Sequence, residues 1–389
     1  MENILSKKDL PQALESVATP CYLYDFDILC ATLAAIRREV PENDPSYRVH
    51  YAIKANGNPR LVKEIARYGF GADCVSGGEV KLALESGIPA ERIVYAGVGK
   101  TDAEIEFAIS EGIGCLNVES LPELEVINEI AGKLGKKADI ALRVNPDIDA
   151  HTHEYITTGL EENKFGINLP LLPGVIKRMK EMENITFRGI HMHIGSQVLN
   201  MEPYALQCER AMQIQEMFEK EGLTVESINV GGGLGIDYDA PEANPVPDFK
   251  AYFDTFRRNM KLREGQTLHF ELGRAIVAQC GSLLARVLYV KEGVSRKYVI
   301  LDAGMTELIR PALYGAHHVI RNLTSTSEQS DTYDVVGPVC ESSDCFAKGE
   351  VLPVTHRGDL IAIRSAGAYG EAMSSGYNCR SLRPAIFVE

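Results

Sequence analysis

Two hydrophobic rhythms divide the chain. In the first, a short apolar run ends in a polar residue or glycine, a stretch with apolar residues every three or four positions follows, and another short run begins. The runs are Val49 to Ile53, Phe70 to Val75, Ile93 to Ala96, Gly114 to Val118, Ile140 to Val144, Gly189 to Ile194, Ile228 to Val230 and Leu268 to Leu272. Between the early ones lie PRLVKEIARYG, GGEVKLALESG, TDAEIEFAISEG and SLPELEVINEIAGKLG, which read as crossover helices stopped by glycine. Eight such units at tight spacing predict a closed (β/α)8 TIM-type barrel rather than an open doubly wound sheet.

After Leu272 the pattern becomes β-branched and short. AIVAQCGSLLARVLYVKEG, RKYVILDAG, TYDVVGP, KGEVLPV and GDLIAIRSAGAYG alternate with turn residues and predict a C-terminal all-β domain, a β-sandwich or β-barrel. CYLYD is an isolated strand ahead of the barrel that can join this domain across the chain. The expected division is 26–272 for the barrel and 1–25 with 273–389 for the β domain, with LTSTSEQSDT as an exposed loop.

Composition narrows the functional classes. The 389 residues are 45% hydrophobic, enough for a sizeable core, and 54 acidic against 40 basic residues give a formal charge of -14. That sign opposes a phosphate-neutralising surface, so no nucleic acid is expected as partner. No stretch approaches the roughly 18 apolar residues a membrane span needs, and MENILSKKDLPQALE lacks a basic-then-apolar order. A cytoplasmic protein without membrane contact is expected. Nine cysteines, an odd number without CxxC pairs, fit reduced thiols better than disulfides or a zinc site.

Active sites of such barrels lie at the C-terminal strand ends, and the polar residues there form an unusual set. YAIKAN puts Lys54 at the end of the first strand, either as a partly desolvated amine able to form a Schiff base or as a lysine reaching solvent. Asp73 ends the second strand, Glu79 opens the next helix, and Arg143 near the end of the fifth strand needs an anion if buried, whether a carboxylate or a ligand. GIHMHIGSQ sets His191 and His193 on one strand face before Gly195 and Ser196. Without a carboxylate or thiolate at matching spacing a metal is not expected, which leaves a core histidine or a ring stacked on a planar cofactor. INVGGGLG supplies Gly231, Gly232, Gly233 and Gly235, whose amides can approach a phosphate; it is neither GxGxxG nor a P-loop. HFELGRA brackets Gly273 with Glu271 and Arg274, either an ion pair capping the barrel or a carboxylate for a protonated ring nitrogen beside a cation for an anion. In the β domain the notable patches are RPALYGAHH with Arg310 and Tyr314, GPVCESSDCF with Cys340, Glu341 and Ser342, and AGAYGEAMSSGYN with Tyr369 and Tyr377.

Together YAIKAN, HMHIGSQ, VGGGLG, ELGR, GPVCESSD and AGAYG with SSGYN resemble the fold-type III pyridoxal-phosphate decarboxylases, from about CYLYD to the C-terminus. VNPDIDAHTHEYITTGLEENKFGI resembles that family's long loop after the fifth strand, CESSD and RPALY separate this branch from ornithine and arginine decarboxylases, and Leu272 stands where many relatives carry proline. The resemblance implies that Lys54 holds pyridoxal 5'-phosphate as a Schiff base, that His193 stacks on its ring, and that Glu271 pairs with the pyridine nitrogen and sharpens the electron sink. Ser196, Gly232, Gly233, Gly273 and Tyr377 would hold the phosphate, with Asp73, Glu79, Arg143 and Arg274 around the cofactor.

For the substrate, the resemblance implies Arg274, Arg310 and Tyr314 on a distal carboxylate and Glu341 on a distal ammonium, with Ser342 and Tyr377 nearby. Cys340 matches the family's proton donor, carried on a loop that comes from the partner subunit, which implies a homodimer with shared active sites. The activity so implied is decarboxylation of meso-2,6-diaminopimelate at its D-centre to L-lysine and CO2. A decarboxylase of a polyamine precursor such as carboxynorspermidine, a non-catalytic cofactor carrier and an alanine racemase are the alternatives. RPALY disfavours the first and retention of Cys340 and Glu341 the second, while the large dicarboxylic site disfavours the third.

Overall fold

The computed structural model describes residues 17–148, 164–381 and 383–388. Most of the long loop anticipated after the fifth barrel strand, and the residues before 17, therefore lie outside the described residues. The chain forms two compact units: one of Leu33–Gly235 with Asp248–Gly273, the other of Ile236–Pro247 with the described residues up to Thr32 and from Arg274 onward.

Strand β1 (Cys21–Asp25) belongs to the second unit; the next eight strands build the first. These are β2 (Tyr47–Ala52), β3 (Gly71–Cys74), β4 (Ile93–Tyr95), β5 (Cys115–Val118), β6 (Ala138–Arg143), β7 (Ile185–His191), β8 (Ser227–Asn229) and β9 (Thr267–Leu272). They close in chain order into a barrel, β9 returning to β2 with His50 opposite Glu271 and Tyr51 opposite Leu272. All eight expected runs are strands of this barrel. The four quoted crossover segments are helices as expected, each with a side-chain cap. Asn58, Ser76, Thr101 and Ser120 accept backbone N–H bonds from the first turns, and Gly112 ends Asp102–Glu111 in the left-handed conformation that glycine adopts without penalty. Outside the strands, Phe253 and Phe256 of the helix Phe249–Asn259 pack edge-on to Phe270 of β9 at 5.0 Å, bracing the strand that carries Glu271.

One boundary differs in a way that matters for chemistry. The expected strand through Ile194 ends at His191, so His193 lies beyond the sheet and does not share a strand face with His191. Upstream, β7 pairs with β6 through a register shift: Phe187 faces Ile140, Gly189 faces Ala141, and the intervening Arg188 bonds Asp139 and Glu226 at the surface.

The second unit is built on one eight-stranded sheet. Its spine is β10 (Gly281–Glu292), whose first half pairs with β1 and β15 (Leu360–Ile363) and whose second half pairs with β11 (Lys297–Leu301). Strands β12 (Ile320–Asn322), β13 (Ser330–Val336) and β14 (Cys345–Pro353) extend the sheet, and β16 (Ile386–Val388) lies parallel to β1. CYLYD thus joins this unit, Cys21 opposite Leu284, and the two residues bury a small core with Leu23, Leu360 and Ala362. Three features escape the run pattern: AIVAQC begins within the short helix Arg274–Val277, RPALY is itself a helical turn, and β13 starts inside LTSTSEQSDT.

Candidate active site

The barrel carries a buried carboxylate with a purpose-built shell. Glu271, second from the end of β9, accepts Nδ2 of Asn229 at 2.7 Å and Nδ2 of Asn117 at 3.5 Å on Oε1, while Nε2 of His191 meets Oε2 at 3.1 Å. Burial alone would raise the pKa of this carboxyl; attraction to His191, the hydrogen bond from it, and the charge of Lys54 outweigh burial and hold Glu271 ionised. Glu271 therefore spends both oxygens inside the barrel rather than in a capping ion pair. The sequence marks His191 only as one of two same-face histidines, a core ring or a ring on a planar cofactor, and not as the partner of a carboxylate; Asn117 and Asn229 were missed. The available signal was a polar residue inside an apolar strand run, in LNV and INV.

Lys54 sits on the helical turn Ile53–Ala55 directly after β2, its side chain 41% exposed and its Nζ 3.9 Å from Oδ2 of Asp73. Asp73 is buried, and its Oδ1 has no hydrogen-bond partner among the described residues. Burial first, then repulsion from Glu271, raises its pKa well above the usual carboxylate range. Glu79 accepts the Val75 N–H at 2.7 Å, with its pKa raised by burial.

His193 lies against the glycine turn, its Nδ1 accepting the Gly232 N–H at 3.3 Å. Burial and the nearby Lys54 and Arg143 cations push its pKa well below the ordinary imidazole value, so the ring is neutral. A Cβ on Gly232 would stand 1.8 Å from the Glu271 carbonyl oxygen, which ties the turn closely to β9. Gly273 passes 3.1 Å, by the same measure, from the Cβ atoms of Ala52 and Ala55, beside the turn bearing Lys54. Ser196 follows Gly195 after this histidine. Arg143, buried at the end of β6, has the anionic partner it needs: Nη1 lies 2.6 Å from Oε1 of Glu119, a residue the sequence reading missed. Glu119 also accepts the Gly97 and Gly166 N–H groups at 3.0 and 2.8 Å, and the guanidinium stacks over Phe165.

These residues fit pyridoxal phosphate. A lysine amine, an ionised buried carboxylate fixed by three donors, a neutral imidazole and a side-chain-free turn are gathered in one barrel. Asp73 Oδ1 and His191 Nδ1 are buried there without hydrogen-bond partners among the described residues.

The second unit gathers arginines. Arg274 Nη1 donates to the Tyr238 hydroxyl at 2.7 Å, and its guanidinium lies 4.9 Å from the Tyr369 ring centroid. Arg310 stacks over Tyr238 at 4.9 Å, and its Nη1 meets Nε2 of His318 at 2.8 Å. Tyr314 ends the turn that Arg310 begins. Tyr369 holds a positive φ of 55°, a strained conformation for an aromatic residue, beside that arginine. Tyr238 was missed because its segment follows the glycine turn without any strand or helix pattern, and His318, though it ends RPALYGAHH, was not singled out within that patch.

The CESSD loop is pinned from within. Asp344 accepts the N–H groups of Met305 and Val339, both at 2.6 Å, which leaves Cys340, Glu341 and Ser342 exposed. The Tyr377 hydroxyl donates to Glu341 Oε1 at 2.5 Å. All nine cysteines are free thiols, and Cys340 and Cys379 are the exposed ones. Among the described residues no helix is long and apolar enough to cross a membrane.

Residues 29–278 match the family model described as pyridoxal-dependent decarboxylase, pyridoxal binding domain. The chain is 57% identical over 367 residues to diaminopimelate decarboxylase of Bacteroides thetaiotaomicron, covering 94% of this chain and 95% of that one. The Aquifex aeolicus diaminopimelate decarboxylase is 41% identical over 381 residues, 98% of this chain and 89% of the relative. Among solved structures, diaminopimelate decarboxylase from Helicobacter pylori complexed with L-lysine superposes with a TM-score of 0.90 at 40% identity, covering 97% and 93% of the two chains. The chain belongs to the pyridoxal-dependent decarboxylases and, within them, to the diaminopimelate decarboxylase family.

Proposed function

We propose that this protein decarboxylates meso-2,6-diaminopimelate at its D-centre to L-lysine and CO2, the last step of lysine biosynthesis, with pyridoxal phosphate as cofactor. The observation that carries the reading is the ionised Glu271 in a barrel that also holds Lys54, in a chain whose near relatives bear this activity in their names. Bound there, pyridoxal phosphate supplies an electron sink for the carbon that loses its carboxylate.

The chain's own residues do the rest. Lys54 would hold the cofactor through its amine. Glu271 keeps a proton on the ring nitrogen, because a carboxylate fixed by His191, Asn117 and Asn229 stays anionic. Neutral His193 would stack on the cofactor, and Ser196, Gly232, Gly233, Gly273 and Tyr377 would hold its phosphate. Asp73, Glu79 and Arg143 shape the surroundings. Arg274, Arg310 and Tyr314 grip the distal carboxylate, while Glu341 and Ser342 meet the distal ammonium. Cys340 Sγ returns a proton to the carbon that CO2 leaves.

The barrel, 26–272, is the cofactor domain in this reading, and 1–25 with 273–389 supplies substrate and interface loops. The enzyme is a cytoplasmic homodimer, each CESSD loop completing the partner's site. Support comes from the exposure of Cys340, Glu341 and Ser342 on a loop that Asp344 pins.

The test is CO2 release and lysine formation from meso-diaminopimelate with added pyridoxal phosphate, beside carboxynorspermidine, ornithine and arginine, repeated with Lys54→Ala. Lysine formed selectively and lost in the variant supports the reading. Better turnover of a substrate lacking the distal carboxylate, or none at all with cofactor bound through Lys54, rejects it.

A further inference from the structure

Arg310 is a buried cation whose partners among the described residues are all neutral. Its residue is 6% exposed, and among the described residues no carboxylate lies within 4.0 Å of its guanidinium. A buried guanidinium is ordinarily matched by an acid. Here Nη1 meets His318 Nε2 at 2.8 Å, and the other face stacks on Tyr238.

The protonation of His318 follows from its two neighbours. Nδ1 lies 2.8 Å from the Arg364 carbonyl oxygen, which can only accept, so Nδ1 carries the hydrogen. Nε2 lies 2.8 Å from a guanidinium nitrogen, which can only donate, so Nε2 is bare. The ring is the neutral Nδ1–H tautomer with both nitrogens satisfied. Burial, the charges of Arg310 and Arg274, and His317 push its pKa down to about 3 against the bond to the Arg364 carbonyl. The Tyr238 ring meets it edge-on at 5.2 Å.

We propose that His318 is a positioning residue that aims Arg310 as a neutral acceptor and leaves its charge unspent, so that the site selects a substrate whose far end carries a carboxylate over one ending in an ammonium alone. The selectivity follows from what is left over. An aspartate or glutamate at this place would hold the guanidinium equally still but neutralise it, and a second carboxylate would gain little from binding. The neutral ring fixes direction at no cost in charge. The proposal rests on the diaminopimelate reading and deepens it by naming what makes the anion clamp available.

The isosteric pair His318→Gln and His318→Glu separates orientation from charge. Both can place an oxygen where Nε2 accepts; the glutamate adds a negative charge and gives up the amide donor that the glutamine keeps. With holoenzyme, His318→Gln is expected to keep KM for meso-diaminopimelate within about threefold of wild type, and His318→Glu to raise it about tenfold or more with kcat changed far less. Calorimetry with pimelate, a dicarboxylate without amino groups, should show the same order: binding to wild type and His318→Gln, and at least about tenfold weaker binding to His318→Glu.

Equal KM values for the two variants, a loss confined to kcat, or no pimelate binding to wild type would each overturn the proposal. Should His318→Glu fail to fold, 15N spectra of histidine-labelled wild type decide. A neutral Nδ1–H ring unchanged from pH 5 to 9 supports the proposal, and a protonated ring at pH 7 ends it. Absence of diaminopimelate turnover in wild type refutes the functional reading alone, because pimelate binding and the tautomer are read without turnover.

Discussion

Arg143 in the barrel and Arg310 in the β unit are buried alike, 7% and 6% exposed, yet their partners are of opposite kinds. Arg143 meets the Glu119 carboxylate at 2.6 Å; Arg310 meets the neutral His318 at 2.8 Å. The first charge is spent inside the protein, where Glu119 also collects the Gly97 and Gly166 amides and so ties three chain segments together. The second is held in place but not neutralised. The kind of partner therefore separates a buried charge that holds structure from one kept for a ligand, although sequence and burial present the two arginines as equivalent.

The largest expected effect breaks the barrel pair. Glu119→Ala leaves the Arg143 guanidinium buried without its anion and should cost about 3–5 kcal/mol of stability, measured by urea unfolding of the holoenzyme. Arg310→Met strands no buried charge and should cost less than about 1.5 kcal/mol, while raising KM for meso-diaminopimelate at least about tenfold. Equal stability losses in the two variants would erase the distinction between the arginines.

Next in size is the barrel's retained charge. Glu271 is likewise a buried ion, held by His191 as well as by Asn229 and Asn117, with no arginine or lysine among the described residues in hydrogen-bond contact. Glu271→Gln should lower kcat about 100–1000-fold while the folded protein still binds cofactor through Lys54, seen in its absorbance. Because the pKa of this carboxyl is depressed, it stays ionised above the unfolded value near 4.3 and protonates only as pH falls through its lower folded value. Its protonation therefore contributes nothing to the pH profile between 5 and 8. Asn229→Leu removes its shortest hydrogen bond and should move the acid limb of kcat upward, with a loss of about tenfold. An unmoved limb would assign that limb to another group.

How far the sequence discloses each region follows from how each is built. The barrel repeats one unit, so its eight strands announce themselves, and Lys54, Asp73, Arg143 and Glu271 fall at strand ends where a repeat makes position countable. What the repeat hides is pairing across it. Asn117, His191 and Asn229 converge on Glu271 from three strands, and sequence spacing carries no trace of that convergence. The arginine cluster has no period at all: Tyr238, Arg274, Arg310 with His318, and Tyr369 come from four separate segments, mostly turns and short helices. Arg274, Arg310 and Tyr369 stand in motifs the sequence singles out, and the arginines take a substrate role from the resemblance, whereas Tyr238 and His318 were not found. His193 shows a third kind of limit, since two alternating histidines imply one face only while the strand lasts, and β7 ends at His191.

The smallest effect sharpens the comparison by pH alone. His318 has its folded pKa depressed to about 3 against about 6.5 when unfolded, so the unfolded chain binds the extra proton first on acidification. The stability it contributes is complete above pH 6.5 and falls with pH down to about 3, which amounts to about 2 kcal/mol lost between pH 6.5 and 5. Glu119 has the opposite chemistry at the equivalent place: burial opposes its ionisation, Arg143 and the amides outweigh burial, and its pKa is lowered. Its contribution is complete above an unfolded value near 4.3 and is lost only at lower pH. Between pH 7 and 5 the β-unit pair should therefore weaken while the barrel pair does not. Urea unfolding of wild type and His318→Gln at pH 7 and pH 5 isolates this contribution as a double difference, with the variant losing about 2 kcal/mol less than wild type on acidification. Equal losses in both proteins would mean that folded His318 takes up a proton as readily as the unfolded chain, and at pH 5 Arg310 would then face a second cation rather than a neutral acceptor.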